Sequence, residues 1–215
     1  SACNNPVRLV ESGPAGGAIL ATSIAEDMNL SKVISFDMGG TTAKITIIEN
    51  KKAIKAREFE VDRKARFKKG SGYPLRIPVI EMVEIGAGGG SIARVNKLEQ
   101  IITGPDSAGS FPGPACYSNG GSMPTITDAD LVIGKIDPDN FAGGKIKLSK
   151  QLADKAITEN IVKFVNIDNN IAALAISEIV DETMSNAARV HTVEQGHETS
   201  NRTLIAFGGA APLHI

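Results

Sequence analysis

Val33-Ile34-Ser35-Phe36-Asp37-Met38-Gly39-Gly40-Thr41-Thr42-Ala43-Lys44-Ile45-Thr46-Ile47-Ile48 is the stretch whose reading decides the fold. Two runs of strand-forming residues flank an acid, a glycine pair and two hydroxyls, and the second run alternates with period two. The pattern predicts two strands joined by a tight turn that a sheet holds on both sides. Backbone N–H groups in a glycine-paired turn can line a concavity that accepts an anion. A carboxylate at the strand end, here Asp37, can hold Mg²⁺ or its waters. Taken alone, the motif fits a plain hairpin equally well, with Gly39 and Gly40 only shaping the turn.

Working outward, strands are expected at 32–37, 43–49 and 52–61, with Glu49-Asn50-Lys51 turning between the last two. This is a three-stranded antiparallel meander. Upstream, Ser12-Gly13-Pro14-Ala15-Gly16-Gly17 opens a helix that runs to Met28, with Ser12 as its cap and Pro14 in its first turn. The small residues let such a helix lie close to a sheet, or let its N-terminus meet a phosphate. Downstream, the basic segment 63–69 leads into Gly70-Ser71-Gly72, either a solvated loop or a docking loop for a partner subunit or phosphates.

The 215 residues suffice for one large domain or two small lobes, and a chain of this length buries roughly 70% of its unfolded surface without needing a disulfide or metal. Lys plus Arg number 23 against 24 Asp plus Glu, so no global field draws the chain to nucleic acid or to an acidic membrane. Cys3 and Cys116 show no C-x-x-C spacing, which argues against a zinc ribbon or disulfide scaffold and suits a reducing cytoplasm. No apolar run is long enough to span a membrane, and Ser1-Ala2-Cys3-Asn4-Asn5-Pro6 carries no basic leader. A cytoplasmic protein with neither a nucleic-acid nor a membrane partner is expected.

Further along, a strand at 77–85 runs into Gly86-Ala87-Gly88-Gly89-Gly90-Ser91. So many glycines exceed what a hairpin needs, and each costs backbone entropy of about 0.5–1 kcal/mol. Something must approach that backbone closely: substrate, nucleotide, or another segment of the fold. The stretch 103–121 lacks periodicity and reads as a long ordered loop facing substrate. Within it Cys116 is either a nucleophile or a small buried hydrophobe. Thr125 caps a helix whose first turn carries Asp128 and Asp130. Acids there are favoured by the helix dipole, and they are also candidate catalytic groups.

The last third reads as helical. Ser149 caps a helix to about 164, with Leu152, Ala156, Ile157, Ile161 and Val165 on one stripe. Asn169 or Asn170 opens a longer helix with Ile171, Leu174, Ala175, Ile179, Met184 and Ala188 facing a core, and Arg189 and His191 near its end. A buried-type strand at 202–207 then enters Gly208-Gly209-Ala210, a second candidate nucleotide contact.

Six motifs in this order resemble the hydantoinase A/5-oxoprolinase family: Ser12-Gly13-Pro14-Ala15-Gly16-Gly17, Phe36-Asp37-Met38-Gly39-Gly40-Thr41-Thr42, Gly86-Ala87-Gly88-Gly89-Gly90-Ser91-Ile92-Ala93, Gly113-Pro114-Ala115-Cys116-Tyr117, Thr127-Asp128-Ala129-Asp130-Leu131 and Ala206-Phe207-Gly208-Gly209-Ala210. The resemblance implies an α/β, ribonuclease-H-like (actin-like ATPase) domain, its mixed sheet carrying an antiparallel meander flanked by helices. Such proteins bind ATP between two lobes. The Asp37 turn then resembles the phosphate hairpin of the second lobe, with Gly39, Gly40, Thr41 and Thr42 on phosphates and Asp37 on Mg²⁺. Gly208 and Gly209 resemble the adenosine-contacting turn, and Gly88, Gly89 and Gly90 approach substrate or nucleotide. Asp37, Asp128 and Asp130 are the candidate catalytic residues.

The implied reaction couples ATP hydrolysis to the opening of a cyclic amide, by phosphorylating a carbonyl oxygen. Close relatives are subunits of ketone carboxylases, and a non-catalytic assembly domain is the other alternative. One departure is plain. Where many members read Asp-x-His before the glycine loop, this chain has Glu81 and Val83. The resemblance also implies a single domain over 1–215 that is part of a longer two-lobed protein, whose partners are a first lobe and a second hydantoinase-type subunit.

Overall fold

The computed structural model describes Cys3 and residues 12–61 and 72–215, so the basic segment 63–69 lies outside the described residues. Helix α1 (Ser12–Asp27) is followed by β1 (Lys32–Met38), β2 (Ala43–Glu49), β3 (Lys52–Ala53), β4 (Lys55–Ala56) and β5 (Phe59–Val61). Next come β6 (Tyr73–Leu75), β7 (Val79–Ile80), β8 (Met82–Ile85), β9 (Ser91–Val95) and β10 (Ile101–Ser107). Helices α2 (Ile126–Val132), α3 (Lys150–Ile157), α4 (Lys163–Val165) and α5 (Asn169–Glu194) precede β11 (Thr203–Phe207). The chain is mixed α/β, as expected.

Its main sheet has the order β11-β1-β2-β3, with β8 also paired to β2. Four residues separate β1 from β2, too few for a parallel crossover, so the two form an antiparallel hairpin. From β2 the chain turns through Asn50 and Lys51, both left-handed at φ 49° and 63°, the backbone twist that suits a two-residue hairpin. Ile48 then faces Ala53 and Glu49 faces Lys52. β2 is an interior strand, and Ile45, Thr46, Ile47 and Ile48 are buried in succession.

Two compact units divide the chain. The first comprises Ser1–Asp37, Lys44–Val83 and Thr192–Ile205, and the second Met38–Ala43, Glu84–His191 and Ala206–Ile215. In the first, α1 lies against β3 and β7 through Ala18, Ala21 and Ala25, small residues that permit close packing, while Ile19 and Leu20 point outward. In the second, β9 and β10 pair antiparallel, Thr103 opposite Ala93, and α2 packs on α3 around Ile126, Leu131, Ala153 and Ile157. The turn between β1 and β2, the Gly86–Gly90 loop and the Gly208 turn all belong to this second unit.

Several expectations are corrected. The strand expected at 52–61 is three short ones, because each changes partner: β3 pairs with β2, β4 with β7, and β5 with β6. The strand at 77–85 breaks at Glu81, whose N–H turns to the Ile54 carbonyl. Residues 103–107 are not loop, since β10 carries them alongside β9. The helix after Ser149 holds regular form only to Ile157 and passes through one wider turn, Thr158–Val162, before α4; Leu152 is exposed.

In α5 Met184 is buried as expected, but the rest of the buried stripe sits off the expected one. Ala172, Ala173, Ile176, Ser177, Val180 and Met184 face inward, whereas Ile171 and Leu174 are 57% and 46% exposed. The interior side packs closely through small and branched apolar residues and makes its polar contact through Ser177, while the larger Ile171 and Leu174 lie outside it. Asp168 caps this helix by accepting the Asn170 N–H. Finally, β11 lies at the end of the sheet order and is half-exposed, not a buried-type strand.

Candidate functional site

The turn after β1 closes on itself through the Gly39 N–H and the Thr42 carbonyl, 3.2 Å apart. An added Cβ at Gly39 or Gly40 would meet nothing within 4 Å, and neither residue has a left-handed backbone. Neither turn geometry nor internal packing therefore requires glycine at these two positions. The open side can admit a group from outside the chain. Asp37 is the penultimate residue of β1 and belongs to the first unit; burial raises its carboxyl above the usual range, with the Lys44 ammonium acting in the opposite direction.

The Gly86–Gly90 loop is different in kind. The Gly89 and Gly90 N–H groups donate to the Gly39 and Gly40 carbonyls at 3.0 and 2.7 Å. A Cβ at Gly88 would stand 2.5 Å from the Thr41 nitrogen and 2.6 Å from the Gly40 carbonyl carbon, and one at Gly90 would stand 2.9 Å from the Gly40 oxygen. The close approach that these glycines allow is to the 39–42 turn. On the loop's other side Thr127 donates both its N–H and its hydroxyl to the Gly89 carbonyl, each at 2.8 Å. A Cβ at Gly89 would sit 2.7 Å from that hydroxyl oxygen. The loop is a wedge between the turn and the start of α2.

Thr125 caps α2 as expected, in a reciprocal capping box with Asp128. The fully buried Asp128 carboxylate accepts from the Thr125 N–H and hydroxyl, both at 2.8 Å, and from the N–H groups of Ala115 at 3.1 Å and Cys116 at 2.7 Å. It ties the loop at 113–117 to the helix. Cys116 is fully buried, and burial, then the neighbouring Asp128 charge, push its thiol well above the ordinary range. That is the environment of a packed thiol, not of a thiolate nucleophile.

Asp130 faces a different neighbourhood. Its Oδ2 lies 3.2 Å from Nε2 of His214, whose Nδ1 is 2.7 Å from Asp181 Oδ1 on α5. Ser177 donates to Asp130 Oδ1 at 3.2 Å and accepts from Lys135 Nζ at 2.9 Å, and that ammonium is 3.9 Å from Asp181 Oδ2. Five side chains thus close a ring. Burial opposes the charge on His214, but the two carboxylates prevail and push its pKa up to about 9. His214, Asp181, Ser177 and Lys135 were not among the expected site residues. The available signal was the i, i+4 pair Ser177 and Asp181, which share a helix face with the apolar Ala173 and Ile176.

Gly208 is left-handed at φ 96°, and an added Cβ at Gly209 would meet nothing within 4 Å. The Ala210 N–H donates to the Met38 carbonyl at 3.0 Å, which links the segment after this turn to the start of the 39–42 turn. The second unit thus holds the 39–42 turn, its glycine wedge, the α2 acids and the Gly208 turn. Among the described residues no cluster of three or more His, Cys, Asp or Glu could hold a metal, and no helix is long and apolar enough to cross a membrane.

Residues 1–215 match the family model described as hydantoinase/oxoprolinase. An uncharacterised protein of Methanocaldococcus jannaschii is 44% identical over 99% of this chain and 32% of its own length. The gamma subunit of acetophenone carboxylase from Aromatoleum aromaticum is 35% identical over 97% of this chain and 28% of its own. Among solved structures, the ATP-dependent caprolactamase of Pseudomonas jessenii superposes with a TM-score of 0.79 at 34% identity, covering 94% of this chain and 28% of that one. The chain spans about a third or less of these relatives.

Proposed function

Because this chain belongs to the hydantoinase/oxoprolinase family, we propose that it is the nucleotide-contacting part of an ATP-dependent enzyme that opens cyclic amides. The observation that carries the reading is the contrast between the two glycine groups. Gly88, Gly89 and Gly90 are filled against by the chain itself, whereas the Cβ directions of Gly39 and Gly40 open onto nothing within 4 Å. A backbone left open by glycine on one side and wedged from the other suits a cradle for phosphates.

The 39–42 turn suits nucleotide phosphates in donor chemistry, and Asp37, two residues before Gly39 in the chain, is the carboxylate we assign to Mg²⁺. Mg²⁺ is commonly held by one or two carboxylates together with phosphate oxygens and water, so the single carboxylate of Asp37 suffices without a metal cage. Bound there, ATP would supply the phosphoryl group that activates a carbonyl oxygen for ring opening, and Mg²⁺ the charge that steadies it. We assign the Thr41 and Thr42 hydroxyls to the phosphates, and the exposed Gly208 and Gly209 to the adenosine. The wedge of Gly88, Gly89 and Gly90 fixes the turn from behind. Asp128 holds the 113–117 loop and α2 in register, and is a positioning group, while Asp130 acts through His214.

The caprolactamase likeness favours cyclic amide hydrolysis, and the acetophenone carboxylase subunit supports the second reading, an ATP-dependent ketone carboxylase. Those relatives are larger than this chain, and the remaining lobe and a second subunit are the partners we assign, in the cytoplasm. The deciding assay supplies the intact protein that contains this chain with Mg-ATP and either lactams, hydantoins and 5-oxoproline, or ketones with bicarbonate. ADP release that depends on a cyclic amide, with the ring-opened acid as product, supports the hydrolase. Dependence on ketone and bicarbonate selects the carboxylase, and release with neither set contradicts both.

A further inference from the structure

The Gly208-Gly209 turn has little packing of its own, with both residues exposed and nothing near a Cβ at Gly209. Its position depends on the anchors at 210–214. Ala210 is tied to Met38; Ala211–Leu213 then make one turn of 3-10 helix, and His214 donates its N–H to the Ala211 carbonyl at 3.0 Å. Beyond that turn, the His214 imidazole is the next fixed point. Its side chain and that of Asp130 are 0% and 1% exposed, while Asp181 and Lys135, at 37% and 32%, reach solvent.

Resting on the nucleotide reading above, we infer that His214 is a positioning residue for the Gly208-Gly209 turn, held between Asp130 of α2 and Asp181 of α5. The charged groups facing the imidazole are those two carboxylates and, through Asp181 and Ser177, the Lys135 ammonium. Two negative and two positive charges balance only while His214 is protonated. Deprotonation leaves two carboxylates with one cation and removes one of the two N–H donors. A buried ion pair adds little net stability over an apolar replacement, yet breaking it from one side is costly, so such a pair defines geometry more than it adds strength. Here the geometry it defines is that of the last segment before the imidazole, which carries the nucleotide turn.

The test uses the intact protein and its His214→Gln and Asp181→Asn variants, with Mg-ATP calorimetry and amide exchange over residues 206–213, from pH 6.5 to 10. In wild type, affinity holds at neutral pH and falls as pH passes about 9. Asp181→Asn moves that fall to lower pH. His214→Gln weakens binding by about tenfold or more and abolishes the fall. In both variants exchange quickens at 206–213 while residues 39–42 keep their protection. Because Asp181 is part-exposed, its variant carries the test if His214→Gln does not fold. Wild-type binding with unchanged affinity and pH profile in the variants overturns the inference alone. No nucleotide binding by wild type overturns the nucleotide reading, and this inference with it.

Discussion

Gly88 lies so close to Thr41 that a Cβ on it would stand 2.5 Å from the Thr41 amide nitrogen. Both atoms in that contact belong to backbone or to a fixed Cβ, so no side chain can swing aside. Gly88→Ala is expected to destabilise the protein by about 1–3 kcal/mol, the cost of overpacking a filled site, as read by denaturant midpoint. Gly39→Ala, with nothing within 4 Å and no left-handed backbone, is expected to stay within about 0.5 kcal/mol of wild type. Equal costs at the two positions would contradict the division between wedge and cradle.

Asp128 accepts four hydrogen bonds from buried donors in two segments. Removing the acceptor leaves these donors unpaired, and Asp128→Ala is expected to cost about 3 kcal/mol or more, since bonds to a charged acceptor contribute about 1.5–3 kcal/mol. Thermal denaturation checks this. Below its lowered melting temperature the variant is expected to retain nucleotide affinity, in contrast to Asp37→Ala, where metal-dependent affinity is lost.

His214 contributes to the pH dependence of stability between neutral and alkaline pH. Its folded pKa of about 9 lies above the ordinary 6.5, so the folded state binds the proton more tightly than the unfolded chain. The contribution is complete below about pH 6.5 and is lost as pH rises through about 9. Urea midpoints measured from pH 6 to 10 are expected to decline across that window, and Asp181→Asn is expected to flatten the decline. An unaltered slope in the variant would rule out Asp181 as a source of the shift.

Cys116 is excluded from solvent and held in its thiol form by burial and by Asp128. Alkylation of the native protein, mapped by mass spectrometry, is expected to spare Cys116 and to reach it only on unfolding. Turnover by Cys116→Ala, at some cost in stability, separates packing from nucleophilic chemistry; loss of turnover in a folded variant would restore the nucleophile.

Much of the site's frame was legible in the sequence because it rests on local chemistry. β2 spans Ala43–Glu49 as the alternation predicts, and Thr125 caps α2 as its hydroxyl and the acid three residues on require. Elsewhere long-range pairing decided. Segment 52–61 has strand composition throughout, yet its partners lie on three different strands, which composition cannot specify. In α5, Ile171 and Leu174 look like core, but the face turned toward Asp130 and His214 carries Ser177 and Asp181 instead. The ring draws on positions 130, 135, 177, 181 and 214, and beyond the i, i+4 pair Ser177 and Asp181 on α5 its members come from separate segments of the chain. The glycines of the wedge were visible as a close approach, while its object, the Gly40-Thr41 backbone, emerges only from the fold.

We assign the nucleotide phosphates to the open side of Gly39 and Gly40. Mg-ATP calorimetry on the intact protein carrying Gly40→Ala tests this assignment most directly, since the methyl enters that space without touching the rest of the chain. The expected result is an unchanged melting temperature with affinity reduced by about tenfold or more. Wild-type affinity in a normally folded Gly40→Ala protein would contradict it.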